Sequence, residues 1–187
     1  MTDVDICNQA LVSMGMTPIV SLDINDNSAI RCRIAFPICR DRMLRGHNWS
    51  FAIRSCALQQ LAVYSPHCDY PVVAALPVGC IKVIRLQSRN PYLLRGGNIL
   101  LHTLPETLDY VAAVENAELF DPAFADALAS LIACELALYG TRDAGILQYH
   151  QNEYRRKIAI ARSVDSIENI HDAQSGKFHS KFIEARG

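Results

Sequence analysis

Residues 121–139, DPAFADALASLIACELALY, are the stretch that decides the fold. From Ala123 to Tyr139 all but three residues are apolar, so a helix here is apolar on nearly every face. Asp121 is a good N-cap, proline suits the first helical position because no N–H is needed there, and Gly140 is a favourable stop. The segment is too short and too charged to span a bilayer. We therefore expect a central helix that is surrounded by the rest of the domain.

The composition fits one domain, or one domain with an extension, because 50% of the 187 residues are apolar. A net charge of -1 means that the chain as a whole lacks the excess of basic residues that is typical of nucleic-acid-binding proteins. The first residues, MTDVD, are acidic where a signal peptide would be basic, and no apolar run is long enough for a membrane helix. The seven cysteines form no C-x-x-C pair, which disfavours zinc sites and thioredoxin-like chemistry. We expect most of them to be small core residues of a protein made in a reducing compartment.

Two helices are predicted before the central one. The first covers residues 2–14, with Thr2 as its cap and Gly15 as its end. The second covers residues 28–45 and carries two apolar stripes on nearly opposite sides, separated by two rows of arginines. One stripe is Ile30, Ile34 and Ile38, the other is Cys32, Phe36, Cys39 and Met43, and the rows are Arg31 with Arg42 and Arg33 with Arg40.

A helix with two apolar stripes needs two surfaces to pack against. Either its own domain encloses it, or one stripe contacts another subunit. Pro37 is expected to kink the helix and to shift the stripes relative to each other. Arginine suits a subunit interface because its planar fork matches a carboxylate. The predicted subunit-interface residues are Arg31, Arg33, Ile34, Phe36, Arg40 and Met43.

Residues 51–114 change to strand-like patterns. Gly96-Gly97 predicts a two-residue hairpin turn between short β segments, and residues 81–86 are rich in β-branched side chains. We expect one small antiparallel sheet, with an irregular and exposed connection over residues 59–79. Just before it, Trp49 is expected to anchor a corner of the core, whereas His47 has no nucleophile or carboxylate at a spacing that indicates catalysis.

The C-terminal part is predicted to hold a fourth helix over residues 141–163, in which His150 belongs to the apolar face. From residue 165 the chain turns polar, so residues 165–187 are predicted to be a tail that is flexible or ordered by a partner. Near its end lie basic and apolar residues that suit a short helical turn laid into a groove. These are Lys177, Phe178, Lys181, Phe182 and Ile183.

Together these segments predict an α+β fold. It is mainly a helical bundle over residues 1–164, with a small antiparallel β-sheet inserted between helices 2 and 3 and an extended C-terminal tail. The chain has no Walker loop, no G-x-G-x-x-G, no G-x-S-x-G and no H-E-x-x-H motif. We expect no catalytic residue, no metal ligand and no cofactor.

Several short motifs occur in a specific order along residues 5–164. They are NQAL (8–11) with Gly15, SLD (21–23) with NS (27–28), RDRMLR (40–45), HNWSFA (47–52), LP (76–77) with CIKV (80–83), FDPAF (120–124) and Tyr154. In this order they resemble the tail tubular protein A type of head-to-tail adaptor, or connector, of short-tailed bacteriophages. The family often has proline before the tryptophan, where this chain has Asn48. The residues after 165 match no part of the family.

The resemblance implies a structural protein of the virion rather than an enzyme. Such adaptors are rings, usually dodecamers, that sit between the portal protein and the tail nozzle and let DNA pass through the centre. Membership would place the protein in the phage neck, and in the host cytoplasm before assembly, with no membrane. Related adaptors use their C-terminal ends to reach the portal, which would make residues 177–183 the portal-binding segment.

Two other classes stay open at this point. One is a small enzyme that uses His47 or a thiol, and strongly perturbed Cys and His groups that converge in a pocket would favour it. The other is a helical DNA-binding regulator, which an exposed basic face on residues 28–45 would favour.

Overall fold

The structure is a computed structural model, and it describes residues 1–65, 67–140 and 144–184. Side chains are described for 1–65, 67–137 and 145–168. Within these ranges the fold is α+β, with four α-helices and two small antiparallel sheets, and every strand follows α2 and precedes α3 along the chain. The helices are α1 (Asp3–Ser13), α2 (Asn27–Gly46), α3 (Pro122–Gly140) and α4 (Ala144–Glu184), and the strands are β1 (Ile53–Ala57), β2 (Val72–Ala75), β3 (Cys80–Leu86), β4 (Leu93–Arg95), β5 (Asn98–Leu101) and β6 (Thr107–Ala112).

The chain divides into two compact units. The first unit combines Met1–Met43 with Glu115–Gly187, and the second is Leu44–Val114. None of the described helices is long and apolar enough to cross a membrane.

Helix α3 is the core of the first unit, as its sequence predicts. The Asp121 carboxylate accepts hydrogen bonds from the backbone N–H groups of Ala123 (2.8 Å) and Phe124 (3.2 Å), which caps the helix. The helix packs against α1 and α4, and the side chains of Phe124, Leu128 and Ile132 are fully buried. Alanines on this helix, among them Ala125, Ala129 and Ala133, are buried as well.

Helix α1 begins with a capping box. The backbone N–H of Asp5 donates to the Thr2 hydroxyl and the backbone N–H of Thr2 donates to the Asp5 carboxylate, at 3.2 and 2.8 Å. The chain leaves the helix at Gly15, whose φ of 70° favours glycine. The Asn8 side chain then holds the following loop through both backbone polar groups of Ile19. This gives the NQAL motif a structural role.

Helix α4 corrects the prediction for the C-terminal part. The helix does not end at Ser163 but runs to Glu184, so the predicted helix end is wrong and the chain is helical rather than extended up to that residue. That residues 165–187 are flexible or ordered by a partner stays a prediction. The physical reason is that helix growth adds one hydrogen bond per residue without a new nucleation step, and residues 164–175 contain neither glycine nor proline. The predicted helix start at Thr141 lies outside the described residues. His150 is buried, as predicted, and so is Ile158.

The second unit contains two three-stranded sheets, where the sequence predicted a single sheet. One has the order β1-β6-β3 and the other β2-β5-β4, and both are antiparallel. Strand β2 lies in the connection that was expected to be irregular. The predicted hairpin is confirmed, because β4 and β5 pair across Gly96 and Gly97, which have φ of 55° and 79°. The core of this unit is an apolar cluster of Leu58, Ala74, Leu86, Ile99, Leu101 and Leu108.

Candidate functional site

Helix α2 has one face inside the unit and one face outside it. Asp26 caps the helix by accepting from the backbone N–H groups of Ser28 (2.9 Å) and Ala29 (3.3 Å), and Pro37 lies within the helix without ending it. The inner face is a continuous stripe at helical spacing, with every member at most 4% exposed. It consists of Ala29, Cys32, Phe36, Cys39 and Met43.

The opposite face of α2 leaves two large aliphatic side chains in solvent. Ile34 is 58% exposed and Ile38 is 53% exposed, one helical turn apart. Arg31 and Arg33 are exposed beside them. We call these four residues the outer face of α2.

A groove of about 440 Å³ lies between this outer face and α3. Cys39 of α2 and Leu136 of α3 are buried residues at its base, and Ile34, Ile38 and Arg31 also line it. Glu135 of α3 lines it as well and accepts a hydrogen bond from the Arg42 guanidinium. The groove is therefore mainly aliphatic, with charged groups around it.

The arginines of α2 differ in how they are engaged. Arg42 pairs with Glu135, and the Arg40 side chain, only 12% exposed, donates from Nε to Asp41 at 2.8 Å. Within the part of the chain whose side chains are described, neither Arg31 nor Arg33 pairs with an acidic group. Arg31 and Arg33 are exposed, so both are available to a partner outside the unit.

The structure corrects two of the six predicted interface residues. Phe36 and Met43 are 4% and 2% exposed, so they pack inside their own unit and cannot line an outer surface. The sequence could not separate the stripes, because both are apolar and the helical period alone does not say which one faces inward. Ile38, which belongs to the same stripe as Ile34, is a surface residue that the predicted set omitted.

A second surface of the first unit is acidic. A cleft of about 320 Å³ is lined by the beginning of α1, the loop at residues 21–23 and the turn before α3. Its side chains include Asp3, Asp23 and Glu118, with Val4 and Leu22 as apolar members. Burial raises the pKa of Asp3, while Arg40 nearby acts in the opposite direction. This cleft was not predicted from the sequence, because its residues come from three separate segments.

The surroundings of the thiols and of His47 bear on whether these groups could act as nucleophiles, bases or metal ligands. Burial raises the pKa of Cys39 to about 12 and that of Cys134 to about 11, so neither is a thiolate at neutral pH. The His47 ring packs edge-on against Trp49, with ring centroids 4.7 Å apart, and Trp49 is fully buried. No group of three metal-binding side chains is found among the residues that the structure describes.

The predicted portal-binding residues lie within the last turns of α4. They are Lys177, Phe178, Lys181, Phe182 and Ile183. Their side chains are outside the described set, so their portal contact stays a prediction.

Comparisons with known proteins give no family assignment. No protein-family model matches the chain, and no curated protein matches it significantly.

Proposed function

We propose that this chain is a ring-forming structural adaptor that joins the portal to the tail nozzle of a short-tailed bacteriophage. In this proposal the helices form a bundle that carries residues 51–114 as an insertion. Identical copies, twelve in the family that the motif order resembles, surround a channel for DNA. The protein would act in the virion neck without catalysis or a cofactor.

The observation that carries the proposal is the outer face of α2. Ile34 and Ile38 leave more than half of their surface in water although the other stripe of the same helix is fully used in the core. Complete burial of an isoleucine side chain contributes about 1.5–3 kcal/mol, so covering what remains exposed offers about 1–2 kcal/mol for each. A ring repeats that gain at every subunit contact.

The charge of the chain also supports a channel role. A protein that lets DNA slide past must not neutralise many phosphates, because each neutralised phosphate adds affinity. The net charge of -1 agrees with this requirement. Residues 177–183 would reach the portal, and the nozzle would bind elsewhere.

One observation favours a second candidate, a DNA-binding regulator. Arg31 and Arg33 are exposed on a helix, as such a regulator would need. Against it, Ile34 and Ile38 occupy the centre of the same face, where a phosphate backbone offers no apolar partner. The two candidates differ in salt response, since duplex binding by these arginines would weaken steeply as salt rises.

Native mass spectrometry of the purified protein, alone and with its cognate portal protein, tests the proposal. We expect a closed ring of defined copy number, and loss of that ring in the Ile34→Ser/Ile38→Ser double variant. Ile160→Ser/Ile167→Ser on α4 is the matched control, because these isoleucines are 48% and 55% exposed. A wild-type chain that stays monomeric alone and on the portal would overturn the proposal.

A further inference from the structure

The first unit carries two different surfaces with opposite charge and the same layout. On the outer face of α2, two aliphatic side chains lie between Arg31 and Arg33. In the acidic cleft, Val4 and Leu22 lie among Asp3, Asp23 and Glu118. No described ion pair engages Asp23 or Glu118, just as none engages Arg31 or Arg33.

The two surfaces share no residue. A contact between them is therefore heterologous, which means that it joins each copy to the next in one direction and closes into a ring when the rotation permits. A contact of the outer face with itself would instead bring arginines together around a two-fold axis. Like charges placed opposite one another at an interface are strongly unfavourable.

We propose that the acidic cleft of one copy receives the outer face of α2 of the next copy. This inference rests on the proposed ring and names the surface that the outer face contacts. Asp23 and Glu118 would pair with Arg31 and Arg33, while Ile34 and Ile38 would be covered by the aliphatic side chains of the cleft. Matching charges at the rim of an interface fix its register and speed up the encounter of the partners.

A second copy fits this face better than nucleic acid does. A phosphate backbone would satisfy the two arginines but leave both isoleucines in water, whereas the cleft supplies both kinds of partner. The groove beside α3 adds further apolar lining next to the two isoleucines, including Ala35 and Leu136, which suits a protein surface rather than a strand of phosphates.

Charge reversal on each surface separately gives a sharp test. The first variant is Arg31→Glu/Arg33→Glu, and the second is Asp23→Lys/Glu118→Lys. All four side chains are exposed. The backbone N–H groups of residues 23 and 118 donate hydrogen bonds to the side chains of Ser21 and Asn116, and these bonds do not involve the replaced side chains, so both variants should fold. Arg95→Glu/Arg155→Glu, at two other exposed positions, is the control for the first variant, with the same change in charge.

Each variant alone presents like charges at every contact, so we expect its subunit association to fall about a hundred-fold. An equimolar mixture restores opposite charges at every contact, because each variant keeps the surface that the other has lost. Native mass spectrometry of the mixture should then show rings in which the two masses alternate in equal numbers. The control should assemble like the wild type. At about 1 M salt, where the Debye length is about 3 Å, the wild-type contact should weaken.

The possible failures are distinct. If both variants form rings as readily as the wild type, the pairing of these surfaces is wrong and the ring proposal stands. If both fail and the mixture also stays monomeric, each surface contacts something other than its assigned partner, and the pairing is again refuted. If the wild type itself never assembles, alone or on the portal, the ring proposal falls together with this inference.

Discussion

Replacing Asp126 should destabilise the helical unit by a predictable amount. This carboxylate lies on α3 and joins it to both neighbouring helices, because its Oδ1 accepts from Gln9 Nε2 of α1 at 2.6 Å and from Lys157 Nζ of α4 at 2.8 Å. The ion pair is partly in solvent, with the Lys157 and Asp126 side chains 21% and 41% exposed, so screening limits it to about 0.5–1 kcal/mol.

The hydrogen bond from Gln9 adds to this cost. Its loss costs about 1 kcal/mol, and the partly buried amide that remains without an acceptor costs about another 1 kcal/mol. Alanine is a better helix former than aspartate and returns about 0.5 kcal/mol. The sum predicts that Asp126→Ala lowers the free energy of unfolding by about 2 kcal/mol, whereas Asp126→Asn, which keeps an acceptor, lowers it by about 1 kcal/mol.

Gln9→Met is the informative comparison. The Gln9 Oε1 atom is buried and has no hydrogen-bond partner among the described residues, so the native side chain already carries an unsatisfied acceptor. Methionine removes that acceptor together with the donor, and we expect a cost below about 1 kcal/mol. Urea unfolding followed by far-ultraviolet circular dichroism measures all three variants. The reasoning is refuted if Gln9→Met costs as much as Asp126→Ala, or if Asp126→Ala unfolds at the wild-type midpoint.

Three further predictions concern other parts of the chain. Leu128→Ala, in the fully buried middle of α3, should cost about 3–5 kcal/mol in urea unfolding, and a cost below about 1 kcal/mol would show that the site is not tightly packed. Hydrogen bonds from the Ser55 hydroxyl and from the Gln87 and Arg85 side chains lower the pKa of Asp109 below its ordinary value of 3.8. The stabilisation by this carboxylate is therefore complete above that pH and is lost as the pH falls through the lower pKa of the folded state. In acid titration, the free energy of unfolding of Asp109→Asn should depend less on pH below about pH 4 than that of the wild type. Truncation after Glu168 should leave the melting temperature nearly unchanged but sharply reduce portal binding, and full portal affinity of the truncated chain would exclude residues 177–183 as the contact.

The sequence predicted helix ends best where capping or stop residues mark them. Asp121 and Thr2 cap the helices that they were expected to cap, and Gly15 and Gly140 lie at the expected ends. The end of α4 could not be predicted in the same way, because a polar composition weakens burial without breaking a helix that is already growing. Polarity was read as a stop signal, and it is not one.

Only part of the candidate site could be predicted from the sequence. Periodicity located both stripes of α2, but the choice between them depends on what α1 and α3 present to the helix, which is a tertiary property. Phe36 and Ile34 are equally acceptable core residues from sequence alone. The acidic cleft could not be predicted from the sequence, because its residues come from segments that are separated by up to about a hundred positions and meet only in the folded chain.

The single tryptophan has a practical consequence for the two-unit organisation. Trp49 belongs to the unit formed by Leu44–Val114, and the other unit contains no tryptophan. Its fluorescence therefore reports the melting of that unit alone, while circular dichroism at 222 nm is dominated by the four helices. If the two signals change at different urea concentrations, the chain has two cooperative foldons rather than one. The native protein thus already carries an optical probe that is specific to the unit Leu44–Val114.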